Sequence, residues 1–292
     1  MPEVDALLAK CSFPVPGTPA RCGFSGGADS TALIVLAQAA GCVVRAVHVH
    51  HGLRPSADDD ADIATTTARQ LDIPIDVVRV DLDDGPNLEA RARAARRSAL
   101  GPDAMTGHTA DDQAETLLLA LLRGSGAAGL SAIGPGWRHP ILRLRAVETR
   151  ALCADRGLSV AADPSNDDPR FRRNRVRHEL LPLLDDIAER DVATLLNRSS
   201  DLLRADDALL EELAAAIDPT DAAALAAAPS VLAARAIRQW LTRDGYPPDA
   251  AAIARVMAVA RGTAGACEVT GALRVERHGN HMVRCSTAPP SS

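Results

Sequence analysis

Residues Ser25-Gly26-Gly27-Ala28-Asp29-Ser30 lie between an apolar run that ends at Phe24 and an apolar helical pattern that begins at Thr31. Two adjacent glycines permit positive φ and close backbone approach, and the two hydroxyls add donors. A helix starting here aims its N-terminal amides at the same point, so strand, loop and helix together form a phosphate cradle. Asp29 would repel a phosphate unless a cation stood between them, which gives it a Mg²⁺ to hold. The bland reading is an ordinary strand-to-helix turn capped by Asp29 or Ser30. A rival reading takes Gly23-Phe24-Ser25-Gly26-Gly27 as G-x-S-x-G, the nucleophile elbow of a hydrolase. Such an elbow draws half of its oxyanion hole from a loop between earlier strands, and only about twenty residues precede Gly23.

The cradle has to work without lysine. Of 32 Lys+Arg, a single residue, Lys10, is lysine, and its neighbours Cys11-Ser12-Phe13-Pro14 fit no G-x-x-x-x-G-K-[ST] loop, kinase strand or Schiff-base site. Aromatic residues make up 2% of the chain, which argues against a nucleic-acid platform of stacked rings. The six cysteines form no C-x-x-C pair and no cluster with histidine, as in a reduced cytosolic protein. The start Met1-Pro2-Glu3-Val4-Asp5 lacks the basic and apolar regions of an export signal, and no apolar stretch is long enough to cross a bilayer. The expectation is a cytoplasmic protein with no membrane anchor.

The 292 residues have room for one or two domains. From residue 20 to about 165, β-rich runs alternate with helical patterns, the mark of a parallel sheet with crossover helices. Strands are expected at 20–24, 43–49, 75–80 and 104–106, and helices at 31–40, 58–71, 88–100 and 111–122. After a Gly/Pro-rich stretch at 124–140, a further helix and strand lead to the turn Asp163-Pro164-Ser165-Asn166. Ligands of such sheets bind at the carboxyl ends of the strands, here just after Phe24, Val49, Val80 and Thr106. The expected fold class is therefore α/β, a Rossmann-like sheet in a first domain over 1–185. A smaller, mainly helical domain over 186–285 follows, with breaks at Asp218-Pro219 and Tyr246-Pro247-Pro248, a β-hairpin at 268–283 and a disordered tail at 286–292.

The loop resembles the pyrophosphate loop of the N-type ATP pyrophosphatases, the PP-loop superfamily. Within it, the remaining motifs resemble the tRNA(Ile)-lysidine synthetase family. They are His48-Val49-His50-His51-Gly52-Leu53-Arg54, Asn87-Leu88-Glu89-Ala90-Arg91-Ala92-Arg93, and Gly107-His108-Thr109-Ala110-Asp111-Asp112-Gln113-Ala114-Glu115-Thr116 with Leu122-Arg123-Gly124-Ser125-Gly126. The most specific is Asp163-Pro164-Ser165-Asn166 leading to Phe171-Arg172-Arg173-Asn174-Arg175-Val176-Arg177-His178. Together they cover 20 to about 185 in the family's order. His50 stands where the family has aspartate, the segment between Arg93 and Gly107 is short, and Ala162 stands where an acidic residue often precedes the last motif.

On the residues alone, His48, His50 and His51 could ligate a metal, but the partner carboxylate is missing, and a structural role or a nucleotide contact fits better. Asp112 and Glu115, three apart on one helix with His108 just before it, are the better candidates for chemistry. Against them stands a solvated acidic first turn complementing the helix dipole. Between residues 138 and 178, ten arginines face five acids on a chain whose net charge is -6. Those at 170, 172, 173, 175 and 177 are spaced to grip a phosphate backbone, where arginine makes bidentate contacts; otherwise they form a solvated, ion-paired face.

The resemblance implies that ATP adenylates the C2 oxygen of the wobble cytidine in tRNA(Ile) with a CAU anticodon, and that free L-lysine then displaces AMP. On this reading Ser25, Gly26, Gly27, Ala28, Asp29, Ser30, His48 and Gly107 bind ATP, and Mg²⁺ sits on Asp29 and Asp112. Asp29, His108, Asp112, Glu115, Arg93 and Arg96 are the catalytic set, and Arg170, Arg172, Arg173, Asn174, Arg175 and Arg177 bind tRNA. The nearest alternative is a sulfur-inserting tRNA enzyme with the same loop, which would want the paired cysteines that this chain lacks. The sequence leaves the oligomeric state open, a homodimer included.

Overall fold

The computed structural model describes residues 4–50, 57–80, 88–161, 167–242, 247–269 and 273–286. The chain divides into two compact units, Met1–Leu202 and Leu203–Ser292. In the first, α1 (Val4–Leu8) precedes β1 (Pro19–Gly23), α2 (Ala28–Ala39), β2 (Val43–His50), α3 (Ala57–Gln70), β3 (Ile75–Arg79) and α4 (Leu88–Leu100). The strands pair in the order β1-β2-β3 and all run parallel, with Cys22 opposite Ala46 and His48 opposite Val77. This is the expected α/β sheet. Four valines in β2 suit a pleated, half-buried surface, and each parallel pair requires a helical crossover.

The fourth strand expected at 104–106 shrinks to one bridge between Cys22 and Met105. Gly23 N–H donates to Met105 O and Met105 N–H to Arg21 O, each at 2.8 Å, but Thr106 N–H turns away to Arg138 O at 2.9 Å. That turn stops the ladder. The bridge still places this segment beside β1, so the chain leaves the sheet at Phe24 and at Thr106 on the same edge. Between them α2 is buried on every side, with Thr31 and the six residues after it 2% exposed or less. A helical stretch buried all round belongs in the middle of a core, here with Phe24, Met105, Ile141, Leu144 and Leu152.

The chain continues through α5 (Ala110–Leu121), α6 (Ala127–Leu130) and α7 (Ala146–Asp155). Among the described residues, the strand expected after α7 does not form. Instead, the segment returns to the glycine loop, where Ala161 N–H donates to Gly26 O at 2.9 Å, while Ser159 O accepts from Thr67 Oγ1 at 3.1 Å. Next come α8 (Arg172–Arg175), a π-helical turn (Val176–Leu180), α9 (Leu181–Ala188) and the long α10 (Val192–Ala215), within which the divide between the two units falls.

The second unit holds α11 (Ala222–Ala227), α12 (Ser230–Leu241), α13 (Ala250–Ala260) and the strands β4 (Ala266–Glu268), β5 (Leu273–His278) and β6 (His281–Ser286). Asp221 caps α11 by accepting from Ala223 N and Ala224 N, and Asp249 caps α13 from Ala252 N. The expected hairpin is a three-stranded antiparallel sheet, because β4 pairs with β5 ahead of the β5–β6 turn at Gly279. Ser286, expected in the tail, instead closes β6; residues 287–292 and Tyr246 lie outside the described residues. Among the described residues, no helix is long and apolar enough to cross a membrane.

Candidate active site

At the end of β1 the glycine loop is held by its own hydroxyls. Ser30 Oγ accepts from Ser25 N at 3.2 Å, donates to Gly27 O at 2.9 Å and lies 3.1 Å from Ser25 Oγ. Gly26 has φ +85°, a conformation that side chains resist. Gly27, not Asp29 or Ser30, is the N-cap of α2, and no side chain caps it, so the first amides of α2 are left for a ligand. Gly107 matters for a different reason. A Cβ there would lie 2.7 Å from Asp29 O and 3.0 Å from Ser30 N, so only glycine lets the 106–108 segment press against the start of α2. Ser25 has no imidazole partner among the described residues, and its φ is not in the left-handed region, so the hydrolase elbow finds no support.

Asp29 points from the first turn of α2 towards α7, where Thr149 Oγ1 donates to its Oδ1 at 2.5 Å. Burial pushes its carboxyl up to about 6; the Thr149 bond opposes this, and the charge of Asp112 adds to it. A buried carboxylate facing a second one is a poor anion by itself and a suitable oxygen donor for a hard cation. Asp29 therefore fits a Mg²⁺. Asp112 fits less directly, because its oxygens are already committed.

Those commitments define the site. Thr109 is the N-cap of α5, and Asp112 closes a capping box by accepting from Thr109 N at 2.9 Å through Oδ2. Its Oδ1 accepts from Arg173 Nη2 at 2.7 Å. Glu115, with no exposed surface, accepts from Arg173 Nε at 2.5 Å and Arg177 Nε at 2.6 Å. The first turn of α5 is therefore a clamped ion cluster, not a solvated acidic face. The cluster borders a cleft of about 300 Å³ lined by Asp29, Thr109, Glu115, Arg150, Arg177 and His178. The π-helical turn follows directly after Arg175, and Arg177 within it reaches the same carboxylate as Arg173 of α8.

The arginine strip thus divides. Arg173 and Arg177 face Asp112 and Glu115, whereas Arg170, Arg172 and Arg175 are exposed, Arg170 paired with Asp168 and Arg175 with Glu179. Asn174 is buried and donates to Asp168 O at 3.0 Å, which holds the start of this segment. Two of the three histidines weighed as metal ligands have other partners. His48 Nδ1 meets Phe24 O at 3.0 Å, and His50 Nε2 meets Asp58 Oδ1 at 3.1 Å. His51 lies outside the described residues, as do 81–87, 162–166 and the side chain of Arg93. Among the described residues, no group of three or more His, Cys, Asp or Glu could hold a metal ion. Arg96 is exposed on α4, and its charge acts on both His48 and His108.

His108 follows Gly107. Burial is the main reason its imidazole is held down to about 4, which leaves it neutral at pH 7. Its Nδ1 lies 2.7 Å from Thr106 Oγ1, which in turn lies 2.8 Å from His139 Nδ1. His139 and Thr149 carried no signal in the sequence. Arg145 bonds Asp111 through Nε and Nη2 at 3.1 and 2.9 Å, and Asp111 Oδ2 also accepts from Ala146 N, fixing the start of α7 against α5. The local arginine excess was the one signal that pointed to Arg145.

A glycine loop at a helix start, with carboxylates and arginines across from it on a parallel sheet, is the arrangement of an ATP-using enzyme. The PP-loop domain family matches residues 6–184, and the chain belongs to it. The family's PP-loop chemistry uses ATP, and the fold agrees with a solved structure, the U34-tRNA thiolase NcsA from Methanococcus maripaludis with its [4Fe-4S] cluster. That likeness has a TM-score of 0.57 at 16% identity and covers 69% of this chain and 78% of that one. The second unit carries a match to the TilS substrate binding domain over residues 221–281.

Curated relatives narrow the family further. The chain is 44% identical over 237 residues to the tRNA(Ile)-lysidine synthase of Nocardia farcinica, covering 76% of this chain and 74% of that protein. It is 41% identical over 269 residues to that of Rhodococcus erythropolis, covering 84% and 82%. The chain is a member of the tRNA(Ile)-lysidine synthase family.

Proposed function

We propose that the protein joins free lysine to C2 of the wobble cytidine in tRNA(Ile) with a CAU anticodon. ATP adenylates the C2 oxygen with loss of pyrophosphate; the lysine ε-amine then attacks C2 and AMP leaves. The observation that carries this reading is the pairing of the open glycine loop with the Asp112–Glu115–Arg173–Arg177 cluster at one end of the sheet. The loop and the α2 amides hold the phosphates, and charge growing on the departing pyrophosphate meets preorganised donors. Mg²⁺ would be held by Asp29, and by Asp112 once Arg173 releases it, and would neutralise that charge.

Lysine enters as an ammonium with a pKa of about 10.4 and must lose a proton before it can attack. Asp112 and Glu115 bind it once it displaces Arg173 and Arg177 from them, and neutral His108 supplies the accepting nitrogen. Arg93 and Arg96 offset charge on the adenylated intermediate. The exposed Arg170, Arg172 and Arg175 hold the tRNA backbone, and the second unit assists in recognising the tRNA. Incubation with ATP, radiolabelled lysine and unmodified tRNA(Ile) tests the reading: label must enter the wobble cytidine. AMP formation without incorporation would remove lysine as the nucleophile and leave the adenylating step standing.

A further inference from the structure

Thr106 Oγ1 is shared by two imidazoles. His108 Nδ1 lies 2.7 Å from it, His139 Nδ1 2.8 Å from it, and the two nitrogens are 3.2 Å apart. The rings meet edge to face at 78°. The backbone fixes the arrangement, because Thr106 N–H donates to Arg138 O and His139 N–H to Gly136 O, both at 2.9 Å.

A hydroxyl has one proton. Its other possible acceptor, Arg138 O, is 3.5 Å away, and two Nδ1–H groups would clash across the 3.2 Å between the rings, so it donates to one Nδ1 and accepts an N–H from the other. The two neutral rings are therefore locked in opposite tautomers. If His139 carries its proton on Nδ1, then His108 carries its own on Nε2 and can only donate there. If His139 Nδ1 is bare, Thr106 donates to it and accepts from His108 Nδ1–H, and His108 Nε2 is the bare acceptor. The second arrangement also survives proton uptake at His108 Nε2, since no hydrogen bond in the chain has to reverse.

We propose that His139 is a positioning residue that acts through Thr106, holding His108 in the Nδ1–H tautomer so that Nε2 is free to take the proton from the lysine ammonium. The step breaks an N–H bond on lysine and forms one at His108 Nε2. This inference rests on the reading of His108 as the proton acceptor. The charges around the pair are Asp112 on α5, Arg173 on α8, Arg96 on α4 and Arg138 beside His139. The Asp112 carboxylate favours a cation at His108, Arg173 and Arg96 oppose it, and Arg138 opposes one at His139.

The test combines imidazole ¹⁵N spectra with kinetics on the full chain and unmodified tRNA(Ile). In the wild type, the resonances lost in H108Q should report Nδ1–H with a bare Nε2. H139L should convert them to a mixture of tautomers and lower kcat for lysine incorporation at least tenfold, with KM for lysine within about twofold. H139N, which keeps an acceptor near the position of Nδ1, should restore the tautomer and most of kcat. T106V provides a second break in the same chain and should behave as H139L does. An unchanged His108 tautomer in H139L and T106V overturns the proposal, and so does a changed tautomer with an unchanged kcat. Full lysine transfer by H108Q would instead overturn the acceptor reading beneath it, while the spectra still decide whether His139 sets the tautomer.

Discussion

Glu115 and Arg177 meet at 2.6 Å, and the carboxylate in this pair has no exposed surface at all. Arg173 reaches the same carboxylate from the other side at 2.5 Å, so one buried anion neutralises two half-exposed cations, with Asp112 sharing the load. Removing the anion strands the cations. Truncating one partner of a buried pair costs up to about 3–5 kcal/mol, and solvent reaching the arginines reduces that here to roughly 2 kcal/mol. E115Q should lower the denaturant midpoint accordingly and reduce lysine incorporation by about 100-fold. D112N should lose incorporation with a smaller stability change, because the side-chain amide can still accept from Thr109 N–H. Full incorporation by both variants would show that neither carboxylate handles the lysine amine.

The raised carboxyl of Asp29 gives a prediction with opposite signs for stability and activity. Its folded-state value of about 6 lies above the ordinary 3.8, so its contribution to stability is complete below about 3.8 and is lost as pH rises through about 6. At neutral pH the buried charge costs the ligand-free fold on the order of 2 kcal/mol. D29N keeps the Thr149 bond and drops the charge. It should melt several degrees higher than wild type at pH 7.5, with the gap shrinking by pH 5, while pyrophosphate release is abolished. Wild-type pyrophosphate release should itself fall at acid pH, below about 6, since a proton competes with Mg²⁺ for the carboxylate. A melting gap that does not depend on pH would contradict the assignment of the raised value to Asp29.

What the sequence disclosed tracks the range of the interactions involved. The glycine loop, the three strands and their helices follow from local patterns, so β1, α2 and β2 lie within a residue or a few of where the periodicity puts them. The strand expected at 104–106 failed because its partner for the last amide, Arg138 O, is 32 residues away. Asp112 and Glu115 could be marked as a pair from their spacing, but not that Arg173 and Arg177 would close over them. The local charge excess suggested an RNA face, whereas two of those arginines turn inward. His139 had no periodic or motif signal, because its partner Thr106 is reached only by tertiary packing.

Gly107 is constrained by what it touches, not by its own dihedrals. In G107A the new Cβ would sit 2.7 Å from Asp29 O and 2.9 Å from its carbonyl carbon, both backbone atoms in the first turn of α2. They cannot yield without shifting the phosphate cradle. ATP affinity should fall at least tenfold, with a loss of stability of about 1–3 kcal/mol from overpacking. Equilibrium binding of ATP and a denaturation curve check the two effects separately. An unchanged ATP affinity would mean that the 106–108 segment moves away and the cradle does not depend on it.

The exposed arginines should behave differently from the clamped ones. Arg170 and Arg172 lie on the surface, and the Asp168 and Arg175–Glu179 contacts beside them are solvent-exposed pairs that add little to stability. R170A and R172A should therefore leave the melting temperature unchanged. If each contacts one phosphate, each should weaken tRNA binding several-fold and reduce the slope of log affinity against log salt by roughly one. R173A should instead destabilise the fold, because it uncovers Asp112 and Glu115. Filter binding across a salt series, set beside thermal melts of the same variants, separates the two groups. If R170A and R172A leave the salt slope unchanged, the tRNA backbone runs elsewhere on the protein and the strip serves the ion cluster alone.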